Sequence, residues 1–79
     1  MMQRNPELLD VIACNIRTLR LAAGISQEVL AERSGLHRTY IGGVERGERN
    51  ITVLSLQKIA VALKVTPAAL LSRNKDRRV

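Results

Sequence analysis

With 79 residues, 46% of them hydrophobic but only one aromatic, the chain is long enough for one small domain, and its aliphatic content favours packed helices over a β-sandwich. No apolar run could span a membrane, and a single cysteine, Cys14, excludes an intramolecular disulfide and agrees with a reducing cytoplasm. The net charge of +6 favours a polyanionic partner, most often nucleic acid and less often an anionic membrane surface.

Capping residues and helical spacing predict the first two helices. Asn5-Pro6-Glu7 starts the first, since Asn is a good N-cap, Pro suits the first helical position and an early acid matches the helix dipole. Its apolar face is predicted to contain Leu9, Ile12, Ile16, Leu19 and Ala23. Gly24 ends it, and the second helix begins at Ser26 and stops at Ser34-Gly35.

Three further helices are predicted. About three residues separate the second helix from the third, which runs over about 38–46 and ends at Gly47; two short helices joined so tightly across a glycine are typical of a helix-turn-helix. Thr52 caps a fourth helix, and Thr66-Pro67 opens a short fifth helix that continues to Leu71. The inward side of the fourth is predicted to contain Val53, Leu56, Ile59, Ala60 and Leu63.

The body, residues 6–72, is therefore predicted to be one compact all-α domain of five helices, and residues 73–79 a basic tail. The segment "RNKDRR" at 73–78 carries four basic residues and one acid. It is either a solvated, disordered end or an arm that lies against DNA phosphates.

The third helix has two unlike faces. At 100° per residue Ile41 and Val44 point to the core. The opposite face lacks bulk at its centre and carries Arg38, Thr39, Gly42, Gly43 and Arg46. Each helical glycine costs roughly 1 kcal/mol relative to Ala, so the pair indicates either close approach to a DNA major groove or tight packing against another helix.

Glu45 would repel DNA phosphates unless it were neutralised. Its position is turned toward the core, which predicts an ion pair with Arg20 or Arg17 of the first helix; a solvated surface glutamate is the alternative. Gln27 lies at the start of the second helix, where free N–H groups attract a phosphate, and would either bond that phosphate or brace the start of the third helix.

The segment "GISQEVLAERSGLHRTYIGGVERGERNITVLSLQKIAVALKV" resembles the DNA-binding domain of phage repressor and Cro-type regulators, and the resemblance covers about residues 8–71. The residues that carry it are Ser26-Gln27-Glu28, Leu30-Ala31, Ser34-Gly35-Leu36, Ile41 and Val44-Glu45-Arg46-Gly47. The stretch "RTYIGGVERGERN" further resembles the controller proteins of restriction–modification systems, which are small and dimeric.

The resemblance implies roles for individual residues. Base reading falls on Arg38, Thr39 and Gly43, and a buried ion pair on Arg20 and Glu45. Contacts to the DNA backbone fall on Gln27, Arg46, Arg49 and Asn50. His37 and Tyr40 are predicted as further backbone contacts beside them.

Two positions depart from the family pattern. His37 stands where Ser, Thr or Asp usually caps the third helix, and is either a weaker cap or a phosphate contact. Gly43 stands where a side chain often reads a base, so specificity would rest on Arg38, Thr39 and DNA shape.

An apolar patch is predicted on the last two helices, formed by Leu54, Val61 and Leu71. Because related regulators usually dimerise and read half-sites about one helical turn apart, the patch predicts a C2 homodimer; the alternative is that these residues complete a small core.

The predicted function is sequence-specific binding of double-stranded DNA, in the major groove of a palindromic operator, by a homodimeric and autoregulatory transcriptional regulator. It would act as repressor or activator through occupancy, cooperativity between dimers or contact with RNA polymerase. The alternative is a helix-turn-helix module that binds another protein, such as an antitoxin or bridging factor.

No catalytic site, metal or cofactor is predicted, because His37 and Cys14 lack evident catalytic partners. Cys14 is either an exposed oxidant sensor or a buried or inert thiol.

Overall fold

A computed structural model describes residues 6–73 and confirms an all-α architecture of five helices, with no strand in that range. The helices are α1 (Pro6–Ala22), α2 (Gln27–Ser34), α3 (Arg38–Glu45), α4 (Val53–Leu63) and α5 (Pro67–Leu71). Within the described range no helix has both the length and the apolar character needed to cross a membrane. The predicted cap Asn5 and residues 74–79 of the basic tail lie outside the described residues.

Short polar side chains begin three of the helices where the sequence indicates. The hydroxyl oxygens of Ser26, Thr52 and Thr66 each accept a hydrogen bond from the backbone N–H three residues later, at 3.1, 3.0 and 3.2 Å. Such caps typically contribute about 1 kcal/mol each. Gly35 ends α2 in the left-handed region at φ 72°, which turns the chain sharply into α3.

One apolar core joins all five helices. Its buried members are Ile12, Ile16, Leu30, Ala31, Ile41, Val44, Leu56, Ile59, Ala60 and Leu70. Helix α3 packs against both α1 and α2, so its buried side is fixed by two neighbours. This packing leaves the first turn of α3 and the loop that follows it at the surface.

Two residues that helical spacing placed in the core are exposed. Val53, the first residue of α4, is 81% exposed, and Ala23 lies exposed just past the end of α1. Both predictions were wrong because the apolar spacing continues to positions at helix ends, where no neighbouring helix covers the side chain.

The end of α5 is tied to α1 at two places. The fully buried Asn15 donates from Nδ2 to the backbone oxygens of Leu70 at 2.9 Å and Ser72 at 2.7 Å. The guanidinium of Arg73 forms an exposed ion pair with Glu7. Asn15 was not predicted from the sequence, because one asparagine in an amphipathic helix gives no sign that it faces inward. It fixes α5, which carries part of the apolar patch.

Candidate nucleic-acid interface

A buried ion pair fixes the end of α3. The carboxylate of Glu45 accepts hydrogen bonds from Arg20 Nε at 2.6 Å and Nη2 at 3.0 Å, and only 3% of the Glu45 side chain is exposed. Arg20 Nη1 also donates to the backbone oxygen of Ile25 at 3.0 Å. The hydrogen bond to Glu45 raises the pKa of Arg20 above its ordinary value, so the guanidinium keeps its charge. Of the two candidates on α1, Arg20 is therefore the partner, while Arg17 is exposed.

Gln27 joins the same network from the start of α2. Its Nε2 donates to Glu45 Oε1 at 3.0 Å, so the side chain braces the end of α3 rather than its start. The amide nitrogen carries two hydrogens, and the second remains available for a phosphate. The acid near the proposed DNA surface is thus neutralised, and α1, α2 and α3 are held together around it.

The first turn of α3 is exposed. Arg38 and Thr39 both face solvent, as the sequence predicts for residues that read bases. Arg38 Nε lies 3.9 Å from Glu28 Oε2, and both side chains are mostly exposed. Exposed pairs of this kind contribute little, since water and salt screen them, so the guanidinium can leave Glu28 at low cost.

His37 is the N-cap of α3. The backbone N–H of Thr39 donates to His37 Nδ1 at 3.2 Å. A neutral imidazole that accepts at Nδ1 carries its proton at Nε2, and this proton can be donated to a phosphate. The capping role and the phosphate role proposed from the sequence are therefore compatible.

The two glycines of α3 are covered, contrary to the expected open face. Both Gly42 and Gly43 are buried. A Cβ built on Gly42 would lie 3.2 Å from Arg46 Nη1 and 3.6 Å from Gln27 Oε1. A Cβ built on Gly43 would lie 2.8 Å from Arg49 Cγ. The glycines therefore make room for long polar side chains of this protein, one of which, Gln27, belongs to α2.

Arg49 returns from the loop after α3 to lie against the helix. Its Cζ is 5.7 Å from the centroid of the Tyr40 ring, a cation–π distance. Tyr40 is half-buried, and its hydroxyl oxygen is buried without a hydrogen-bond partner among the described residues. In this conformation the Tyr40 ring supports Arg49, while the hydroxyl faces no solvent through which a phosphate could approach.

The remaining predicted backbone contacts are at the surface beside α3. Arg46 is the C-cap residue, and its Nε lies 3.0 Å from Glu48 Oε1, with both side chains 60% exposed. Asn50 is exposed in the following loop. Together with Arg49, which is also exposed, they form a basic and polar rim at the end of the helix.

The predicted apolar patch is exposed rather than part of the core. Leu54 is 65%, Val61 68% and Leu71 42% exposed. At these exposures none of the three side chains belongs to the buried core.

Cys14 lies at the surface of α1 beside a shallow cleft of about 400 Å³ between α1 and α3. Its Sγ is 4.0 Å from Thr18 Oγ1. Exposure removes the alternative of a buried thiol. Across residues 6–73 no group of three or more His, Cys, Asp or Glu side chains could hold a metal ion.

Comparison with known proteins gives matches over most of the chain. A family model described as helix-turn-helix (HTH_3) matches residues 16–70. The chain is 49% identical over 67 residues to the control protein C.SmaI of Serratia marcescens, which covers 85% of this chain and 80% of that protein.

Solved structures of controller proteins have a similar fold. The restriction–modification controller protein C.AhdI of Aeromonas hydrophila matches with a TM-score of 0.77 and 48% identity, over 78% of this chain and 94% of that one. The controller protein C.Esp1396I, solved as a tetramer in complex with its natural 35-base-pair operator, matches with a TM-score of 0.74 and 43% identity. That match covers 80% of this chain and 83% of the other.

Proposed function

The chain belongs to the helix-turn-helix family HTH_3, and on that premise we propose that it binds a palindromic operator as a homodimer and regulates its own transcription. Its relatives among the restriction–modification control proteins make it a DNA-binding transcriptional regulator. The observation that supports the finer proposal is the exposed first turn of α3, Arg38 and Thr39, on a helix whose other end is tied to α1 by a buried ion pair.

Arg38 and Thr39 read bases in this proposal. A guanidinium can donate to guanine O6 and N7 as a fork, and a threonine methyl can touch the methyl group of thymine. Both residues lie in the first turn of α3, the part of a recognition helix that contacts base edges when the helix enters the major groove. The weak pair between Arg38 and Glu28 is exchanged for DNA on binding.

Phosphate contacts surround this turn. His37 donates from Nε2 at the start of α3, and Gln27 donates its second amide hydrogen at the start of α2. Arg46, Arg49 and Asn50 contact the backbone beyond the other end of α3. Because basic side chains release counterions from the duplex when they bind phosphates, affinity falls as salt concentration rises.

The homodimer forms through α4 and α5. Leu54 and Val61 are seven residues apart, nearly two helical turns, and so share one side of α4. With Leu71 they offer the apolar area that a symmetric interface uses. A tetramer on the operator of one relative is consistent with dimers that bind side by side. Regulation would then come from occupancy of the operator, from cooperativity between dimers or from contact with RNA polymerase.

Selection of bound sites from random double-stranded DNA tests the proposal. We expect a palindromic site with half-sites about one helical turn apart. On that site Arg38→Ala should lose about 1–3 kcal/mol of binding free energy, with relaxed preference at one base position and little change on random DNA. Equal loss on selected and random DNA would contradict base reading by Arg38. Failure to enrich any site would favour a protein-interaction module.

Sedimentation equilibrium tests the dimer. The double variant Leu54→Asp/Val61→Asp places two charges in the patch and should convert the dimer to a folded monomer. Leu21→Asp is the matched control, since Leu21 is a 56% exposed leucine on α1, outside the patch. A Leu54→Asp/Val61→Asp protein that sediments as a dimer would rule out this interface.

A further inference from the structure

The Arg49 side chain lies against α3 in the space left by the missing side chain of Gly43, and we call this space the seat of Arg49. The Arg49 side chain crosses α3 where Gly43 has no side chain, with Cγ, Nε and Cδ at 2.8, 3.2 and 3.6 Å from an ideal Cβ position. Three successive parts of the side chain, Cγ, Cδ and Nε, approach this position, so the contact extends along the length of the Arg49 side chain, which we call its arm. A methyl group at residue 43 could not share this space with the arm.

Gly42 gives an internal comparison. A Cβ at Gly42 would approach only Arg46 Nη1 and Gln27 Oε1, which are terminal atoms of flexible side chains. Such atoms can move by rotation about their last bonds. At Gly43 the closest atom is Cγ, near the root of Arg49, so a clash there must redirect the whole arm.

Two further contacts place the arm. The backbone N–H of Glu48 donates to the backbone oxygen of Gly43 at 2.9 Å, which turns the chain back so that the next residue, Arg49, faces α3. The Arg49 guanidinium then lies 5.7 Å from the Tyr40 ring centroid. Tyr40 and Gly43 are three residues apart and hence neighbours on the helix surface.

The seat lies beside the reading residues. Thr39 and Gly43 are four residues apart and stack on one face of α3. An arm that crosses Gly43 therefore lies one turn beyond Thr39, where a side chain at residue 43 would otherwise project. Its guanidinium supplies the charge and the hydrogen-bond donors that a glycine lacks.

We propose that Gly43 is a positioning residue for Arg49: its missing side chain seats the arginine across α3 against Tyr40 and so determines where the guanidinium meets the DNA. This inference rests on the proposed DNA-binding function. Glycine at residue 43 thus serves a contact within the protein, and the Arg49 side chain from the loop occupies the space beside the reading residues and meets the DNA backbone there.

A double-mutant cycle on the selected operator distinguishes two ways in which Gly43→Ala could weaken binding. The added methyl group could displace Arg49, or it could itself clash with the DNA. Gly43→Ala should weaken binding about tenfold, which corresponds to about 1.4 kcal/mol. In an Arg49→Ala background the same change should have almost no effect, because the arm that it displaces is gone. Equal losses in both backgrounds would mean that the added methyl group meets DNA, and no loss in either would show that the seat is unimportant. Both results overturn the proposal.

A measurement without DNA keeps this test separate from the function. Because Arg49 Cζ lies 5.7 Å from the centroid of the Tyr40 ring, the side-chain protons next to it should show ring-current shifts in the NMR spectrum of the wild-type protein. Gly43→Ala should move them to unshifted positions, whereas Gly42→Ala, with the same gain of one helical methyl group, should leave them in place. If the chemical shifts of the Arg49 side-chain protons stay unchanged in Gly43→Ala, the proposal that Gly43 positions Arg49 is wrong. If the wild-type protein selects no DNA site while these shifts behave as expected, the failure lies in the proposed function and not in the seat.

Discussion

The protein contains arginine–glutamate pairs in two very different settings. The pair between Arg20 and Glu45 is buried, with 10% and 3% of the two side chains exposed. The pair between Arg46 and Glu48 has the same chemistry, but both side chains are 60% exposed. Burial separates the arginine that holds the fold together from the one that is free to bind a partner.

The physical reason is the cost of desolvation. Glu45 is removed from water and receives three hydrogen bonds from Arg20 and Gln27, so loss of a partner leaves a buried charge without compensation. The exposed pair of Arg46 with Glu48 is screened and contributes about 0–1 kcal/mol, so exchange of the glutamate for a phosphate changes the fold very little.

The largest expected effect is at the buried pair. Arg20→Ala should lower the free energy of unfolding by about 3–5 kcal/mol, because Glu45 stays buried without its charged partner. Urea denaturation followed by circular dichroism measures the loss. In a domain whose total stability is about 5–15 kcal/mol, this change removes much of the margin. A loss below about 1 kcal/mol would place the Arg20 pair in the same class as the exposed pairs.

An intermediate effect is expected at Asn15, a buried polar group without charge. Asn15→Ala should cost about 1–3 kcal/mol, since the backbone oxygens of Leu70 and Ser72 lose their donor at the end of α5. The same urea titration measures it, with the exposed Arg17→Ala as a control that should change stability by less than about 0.5 kcal/mol. A cost for Asn15→Ala as small as that of the control would show that α5 does not depend on this link.

The smallest effect on the fold is expected at the exposed pair. Arg46→Ala should change the free energy of unfolding by less than about 0.5 kcal/mol. It should nevertheless weaken binding to operator and random DNA alike. The slope of log affinity against log salt should fall by about 0.9, because the variant neutralises one phosphate fewer. Fluorescence titrations at several salt concentrations measure this slope. Loss of stability without a change of slope would reverse the roles assigned to the two pairs.

Much of the fold follows from local rules in the sequence. Caps such as Ser26, Thr52 and Thr66 begin helices where their hydroxyl groups can accept a backbone hydrogen bond, and Gly35 marks the turn before α3. Apolar spacing identifies the central buried residues of α1 and α4. These features depend on residues three or four apart, so the sequence alone contains the necessary information.

The candidate interface was predictable only in part. The exposure of the first turn of α3 and of the three residues of the apolar patch agrees with the sequence predictions. For Glu45 the sequence predicts an ion pair with the first helix and leaves two candidate partners, Arg20 and Arg17. Periodicity assigns a residue to a face but does not choose its partner, and both arginines are long enough to reach. Packing of α3 against α1 made that choice.

The sequence by itself determined five helices, the caps of α2, α4 and α5 and the inward side of α3, because each depends on local backbone geometry and on spacing along one helix. Only the tertiary structure decided that Asn15 is buried, that Arg20 rather than Arg17 neutralises Glu45, and that Gly43 lies beneath Arg49. These contacts join residues between 6 and 57 positions apart, and long side chains have many possible partners until the helices are packed. The two adjacent glycines show this most clearly: the sequence reports a missing side chain, and the fold reports which residue occupies its place.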